Sequence, residues 1–231
     1  MTTAPNPIYV ALDTPDVKTA LALAEAVRPH AGGLKAGLEF VSANGPEGVR
    51  QIVALGLPVF LDVKLHDIPT TVAGAVRALS RLGVSIINVH ASGGSAMMKA
   101  AKEAAGPDVK IIAVTILTSL DDDDIAAVGF AEAAAAQAVR LARLAQAAGV
   151  DGVVCSAQDL KAVREACGPD FLTIVPGSRP AGSDLNDQKR FMTPEAARAA
   201  GADILVMGRP VTHAADPREA CRLVAAALGL S

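Results

Sequence analysis

The chain has 231 residues, of which 51% are hydrophobic and 19% charged, enough apolar material for a sizeable core; this excludes a disordered, collagen-like or disulfide-stapled chain. Lys plus Arg at 21 against Asp plus Glu at 24 leaves a net charge of -3, too balanced to coat a polyanion. With 3% aromatics and no Trp, there is no stacking platform for single-stranded nucleic acid.

Short runs of strand-forming residues recur at Ile8 to Leu12, Gly33 to Gly37, Val59 to Leu65, Ser85 to His90, Lys110 to Leu117, Gly152 to Cys155, Leu172 to Val175 and Asp203 to Met207. Between them, segments such as Val17 to Val27, Val72 to Leu82, Ala131 to Ala148 and Pro217 to Leu228 carry helical spacing. Strands that are apolar at consecutive positions belong in a parallel sheet covered on both faces. Eight strand-helix units of this kind predict an α/β protein, a single (β/α)8 TIM barrel over residues 1–231. A doubly wound open sheet is the alternative. The start, Met1 to Asn6, has no basic or apolar leader, and no apolar run reaches the ~20 residues of a membrane span. A cytoplasmic protein with neither membrane nor nucleic acid as partner is therefore expected.

Several strands end in polar residues: Asp13, Lys35, Asp62 with Lys64, His90, Thr118 with Ser119, Pro176-Gly177-Ser178-Arg179, and Gly208-Arg209. In a barrel those carboxyl-terminal ends share one face, where such folds carry their chemistry.

The segment Asp62-Val63-Lys64-Leu65-His66-Asp67-Ile68-Pro69 is the most informative. Residues i and i+2 of a strand share a face, so Asp62 and Lys64 point together while Val63 and Leu65 pack outward. Asp67 precedes Ile68 and a proline, so its carboxylate projects from a loop. A salt bridge at a strand end, with Asp67 capping the next helix, is the plainer interpretation of such a string. Lys35, one strand over, changes the balance, because it can reach Asp62 and extend an alternating row of Lys35, Asp62, Lys64 and Asp67. Two carboxylates ~4 Å apart repel by about 4 kcal/mol at an effective dielectric near 20, so they tolerate each other only with the lysines interleaved. Charges fixed before substrate arrives are what electrostatic catalysis requires.

The loops after the seventh and eighth strands suit a phosphate. Gly177 lets the backbone approach an anion, and Gly208-Arg209 joins a small residue to a guanidinium capable of bidentate contact. Between Arg179 and Thr193 runs a polar stretch long enough to serve as a lid.

These motifs, with Lys35-Ala36-Gly37, Asn88-Val89-His90-Ala91 and Gly208-Arg209-Pro210-Val211-Thr212, resemble in order and spacing those of the orotidine 5'-phosphate decarboxylases, from Ala11-Leu12-Asp13 to Asp216-Pro217. The resemblance implies a homodimeric barrel that converts orotidine 5'-monophosphate to uridine 5'-monophosphate (UMP) and carbon dioxide without metal or organic cofactor. By that resemblance Lys64 protonates C6 of the pyrimidine, Asp62 lies beside the scissile carboxylate, and Lys35 holds Asp62 and contacts the ribose, as does Asp13. Asp67 enters the neighbouring subunit's site with Ile68 and Thr71. Thr118 matches the contact to the base amide edge, Gln188 the bridge between phosphate and pyrimidine, and Pro176, Arg179, Gly208 and Arg209 belong to the phosphate loops. Ser178 departs from the family, which usually has an apolar residue there; its neighbours match, so a local packing change is expected.

Magnesium-dependent decarboxylases and synthases of the same superfamily share the D-x-K-x-x-D string but carry an acidic metal ligand where this chain has Lys35, and a lysine repels a divalent cation. A noncatalytic nucleotide binder is the third possibility, disfavoured because binding alone gives no reason to bury two acids near an anionic ligand. His66 is expected to be structural, and His90 to be a hydrogen-bonding residue of the barrel mouth. Asp121 to Asp124 predicts a solvated loop or helix start rather than a cation site. Cys155, Cys167 and Cys221 lack the spacing of a metal knuckle or redox pair.

Overall fold

Runs that are apolar on both faces need cover on both sides, and a closed parallel sheet wrapped in helices provides it. The computed structural model describes residues 6–178 and 192–230. Its strands are β1 (Ile8–Ala11), β2 (Gly33–Gly37), β3 (Val59–Leu65), β4 (Ile86–His90), β5 (Lys110–Val114), β6 (Gly152–Val154), β7 (Leu172–Pro176) and β8 (Ile204–Met207). Each pairs in parallel with the next, and β8 pairs with β1, closing the barrel. The open-sheet alternative is thereby excluded.

The helices are α1 (Val17–Val27), α2 (Leu38–Val53), α3 (Pro69–Ser80), α4 (Gly94–Ala105), α5 (Asp122–Ala127), α6 (Ala134–Ala147), α7 (Leu160–Cys167), α8 (Pro194–Ala199), α9 (Arg209–Thr212) and α10 (Pro217–Ala227). Apolar spacing alone places the third helix from Val72. It begins at Pro69 instead, because proline at the first helical position has the right φ and no N–H to satisfy. The acidic run does start a helix: Asp121 caps α5 and forms a reciprocal capping box with Asp124.

Strand alternation divides the core in two. Tyr9, Ala11, Phe60, Ile86, Ile112, Ile174, Ile204 and Val206 fill the barrel interior. Their neighbours Val10, Leu61, Ile87, Ile111, Val175 and Leu205 face the helices. Val63 and Leu65 also pack against this outer layer, as the alternation predicts.

The amino-terminal ends of the strands are tied by multiply bonded ion pairs. Arg164 of α7 donates to the carbonyls of Gly168, Pro169, Phe171 and Gly201, to Thr173 Oγ1, and to Asp203 Oδ2 at 2.7 Å. Lys102 of α4 reaches both oxygens of Asp151 at 2.7 Å, and the Asp151 carboxylate also accepts from the Ile111 N–H. The three cysteines are free. Burial pushes the thiols of Cys155 and Cys221 up to about 12 and about 11, which leaves both inert. Among the described residues no helix is long and apolar enough to cross a membrane.

Candidate active site

The carboxyl-terminal ends of the strands surround a cavity of about 360 Å³, within the ~300–1,000 Å³ of small-molecule sites. Phe60, Ile174 and Val206 belong both to its lining and to the barrel interior, so the cavity rests directly on the packed plug. Asp13, Lys35, Asp62, Lys64, Thr118, Pro176, Gly208 and Arg209 all line it. No two of the strands β2, β3, β5, β7 and β8 bring these groups together by local sequence; the closed sheet does.

Lys35 is only 8% exposed, and a lysine so deeply placed requires partners. Its ammonium lies 2.8 Å from Asp13 Oδ1 and 3.4 Å from Asp62 Oδ2. The other oxygen of Asp62 is 2.6 Å from Lys64 Nζ. A row of alternating charge therefore runs Asp13, Lys35, Asp62, Lys64. Burial by itself would raise the Asp62 carboxyl, but the flanking Lys35 and Lys64 charges and the hydrogen bonds from Lys64 and Asn88 outweigh it, holding it below the ordinary aspartate range.

The strand that carries the pair is irregular. The β3–β4 ladder steps from Leu61↔Ile87 to Leu65↔Val89, four positions on β3 against two on β4. Within this bulge Lys64 has φ 48°, the only non-glycine with positive φ among the described residues. Its N–H donates to Asn88 Oδ1 at 2.7 Å, and Asn88 Nδ2 donates to Asp62 Oδ1 at 2.7 Å. A left-handed lysine costs about 1–2 kcal/mol. The two bonds of the buried amide contribute about 1 and ~1.5–3 kcal/mol, the second being to a charged group, and so offset it.

Asp67 does not join the row within one chain. Its Oδ1 accepts from the adjacent Ile68 N–H at 2.6 Å, and Asp67, Ile68 and Thr71 are all exposed. Ile68, at 64% exposure, is among the most exposed large apolar residues of the described chain. Arg179 and Gln188 lie outside the described residues, as does most of the expected lid. Gly177, with φ 73°, takes a backbone conformation that favours glycine. Ser178 is buried, and its hydroxyl has no hydrogen-bond partner among the described residues, an environment suited to an apolar side chain.

His90, at the end of β4, makes a tilted ring contact with His66 at 5.5 Å between centroids. Burial first, then the nearby His66 and Lys64 charges, hold its pKa below the usual value, against the opposing pull of Asp62. Among the described residues no cluster of three or more His, Cys, Asp or Glu is placed to hold a metal.

Two positions in the site went unassigned on sequence grounds. Asn88 is a fully buried amide inside the apolar run of β4, and a polar residue in such a run is itself a signal. Gly37 leaves room for the row: a Cβ there would stand 2.8 Å from both Asp13 Oδ1 and Lys35 Nζ. Nothing in the sequence marks that contact.

Residues 6–224 match the family model described as Orotidine 5'-phosphate decarboxylase / HUMPS family. The chain is 51% identical to an orotidine 5'-phosphate decarboxylase of Paramagnetospirillum magneticum, over 97% of this chain and 99% of that one. It is 53% identical to one of Novosphingobium aromaticivorans, over 96% and 99%. Among solved structures, the orotidine 5'-phosphate decarboxylase of Lactobacillus acidophilus superposes with a TM-score of 0.86 at 35% identity, covering 96% of this chain and 99% of that chain. The chain belongs to the orotidine 5'-phosphate decarboxylase / HUMPS family.

Proposed function

We propose that this barrel decarboxylates orotidine 5'-monophosphate to UMP in pyrimidine biosynthesis, with Lys64 as the proton donor. The observation that carries the assignment is the Lys64 ammonium, fixed 2.6 Å from Asp62 at the cavity wall. An ammonium has three donors, and Asp62 is its one acceptor among the described residues. When the C6 carboxylate leaves as carbon dioxide, its bonding electron pair stays on C6, outside the ring π-system. The adjacent ammonium stabilises that charge, then gives C6 a proton and becomes an amine. Asp62 holds Lys64 in place. Lys35 holds Asp62 from the other side and, with Asp13, meets the ribose; Thr118 meets the base.

The phosphate falls to Pro176, Gly177, Gly208 and Arg209, joined by Arg179 and Gln188 of the lid. Its binding energy closes the lid and presses the ring onto the charge row. No cofactor takes part: Lys35, 3.4 Å from Asp62, stands where the magnesium-dependent relatives carry an acidic metal ligand, and its ammonium repels a divalent cation. The working form is a homodimer in which Asp67, Ile68 and Thr71 complete the neighbouring site. An exposed carboxylate with no cation partner among the described residues, next to an exposed isoleucine, supports that assembly. The location is cytoplasmic, since a nucleotide with a phosphate charge does not cross a bilayer unaided.

The test is Lys64→Ala. UMP formation from orotidine 5'-monophosphate is expected to fall by more than about 10⁴-fold, with the melting temperature nearly unchanged and the wild type indifferent to excess chelator. Retained turnover in the variant would overturn the assignment, and loss of wild-type turnover in chelator would return the magnesium-dependent reading.

A further inference from the structure

We propose that Asn88 is a positioning residue for the reaction: one buried amide clamps the Lys64 main chain in its left-handed conformation and holds the Asp62 carboxylate against the Lys64 ammonium. The inference rests on Lys64 and Asp62 acting as assigned above.

Asn88 is well anchored for such a task. Its own backbone sits in the regular β4–β5 ladder, paired with Ile112, and its side chain is fully buried. On the other side, the bulge deprives β3 of regular partners on β4 between Leu61 and Leu65. The amide fills that gap, with Oδ1 accepting from Lys64 N and Nδ2 donating to Asp62 Oδ1, each at 2.7 Å. This orientation has no workable alternative. Turned over, the amide would set its oxygen against a carboxylate and its NH₂ against an N–H, losing both bonds.

Both ends of the amide act on the same functional pair. A shift of Lys64 out of its left-handed conformation pulls on Oδ1, and through the rigid amide plane moves the group that orients Asp62. Asn88 thus couples the backbone of the proton donor to the carboxylate that aims it. An aspartate at 88 would still accept from Lys64 N, but would lose the donor and set a second negative charge against Asp62. A leucine would lose both bonds while filling a similar volume.

The experiment measures kcat, KM, melting temperature and the pH dependence of kcat for Asn88→Asp and Asn88→Leu beside Lys64→Ala. For Asn88→Asp, kcat is expected to fall about 100-fold or more with KM changed less than about threefold, the pattern of a lost transition-state contribution. The acid limb of the kcat profile should move up by roughly one unit, because Asp62 loses a donor and gains a repelling neighbour. Asn88→Leu should lose at least as much turnover. A folded variant of either kind with kcat within about threefold of wild type and an unmoved acid limb overturns the proposal; a role confined to core packing would lower the melting temperature alone. If neither variant folds, amide exchange in the wild type decides: Lys64 N–H protected like the strand interior supports the clamp, and exchange at the rate of an open loop overturns it. Active Asn88 variants beside an inactive Lys64→Ala reject only this inference, whereas an active Lys64→Ala rejects the reaction assignment itself.

Discussion

The two ends of the barrel use the same residue types to opposite purpose. At the amino-terminal end Arg164 meets four carbonyls, a hydroxyl and the Asp203 carboxylate, so both terminal nitrogens of the guanidinium are committed to protein. At the carboxyl-terminal end Lys64 spends one donor on Asp62 and presents the rest toward a cavity. The number of donors taken up by the chain separates a clamp from a group open to a ligand here. A cation whose hydrogen bonds are all satisfied by its own chain stabilises the fold, and one left short is available to a ligand.

The contrast can be broken from either end. At the mouth, Arg209→Ala should lower kcat/KM for orotidine 5'-monophosphate by about 10³-fold, while a phosphate-free nucleoside analogue loses less than about threefold. Steady-state kinetics on both substrates provides the check, and equal losses would remove the phosphate role. At the base, Arg164→Ala leaves Asp203 without its cation and several carbonyls without their guanidinium donor, and should cost ~3 kcal/mol of stability. Urea unfolding measures that cost; kcat of the folded fraction should stay within about twofold, since no group of the mouth has moved. A large kcat loss with intact stability would show that the two ends are not separate in function.

The smallest effect concerns acid. Asp62 is held below its ordinary value in the folded chain, so the unfolded chain binds its proton first as pH falls. Its contribution is present above the unfolded value near ~3.9 and is lost as pH drops through the depressed folded value. Asp62→Asn should therefore flatten the loss of stability below about pH 4 relative to wild type. Superimposable acid-unfolding curves would mean that the Asp62 charge is not held as described.

Much of this was legible beforehand for a physical reason. A parallel sheet buried on both faces writes each strand as a continuous apolar run, so all eight strands could be located, and the barrel then dictates which strand ends share a face. Lys35, Asp62 and Lys64 were expected together on that basis, and they are. The member that closes the row within the chain, Asp13, was assigned only to the ribose, and its pairing with Lys35 was not anticipated. Its direction and that of Asp67 depend on loop backbone that no periodicity describes. Nor does strand alternation foresee the bulge at Asp62–Lys64: the side chains meet, but on a ladder with two extra residues and a left-handed lysine. The clamp by Asn88 follows from that register shift and is visible only in three dimensions.

Gly37 makes the charge row vulnerable to the most modest of changes. A single methyl at this position would intrude on both the Asp13 oxygen and the Lys35 nitrogen, wedging apart two groups that carry the first link of the row. The arrangement of the charge row is guarded by an atom that is missing, so an inventory restricted to residues with reactive side chains would overlook one of its determinants.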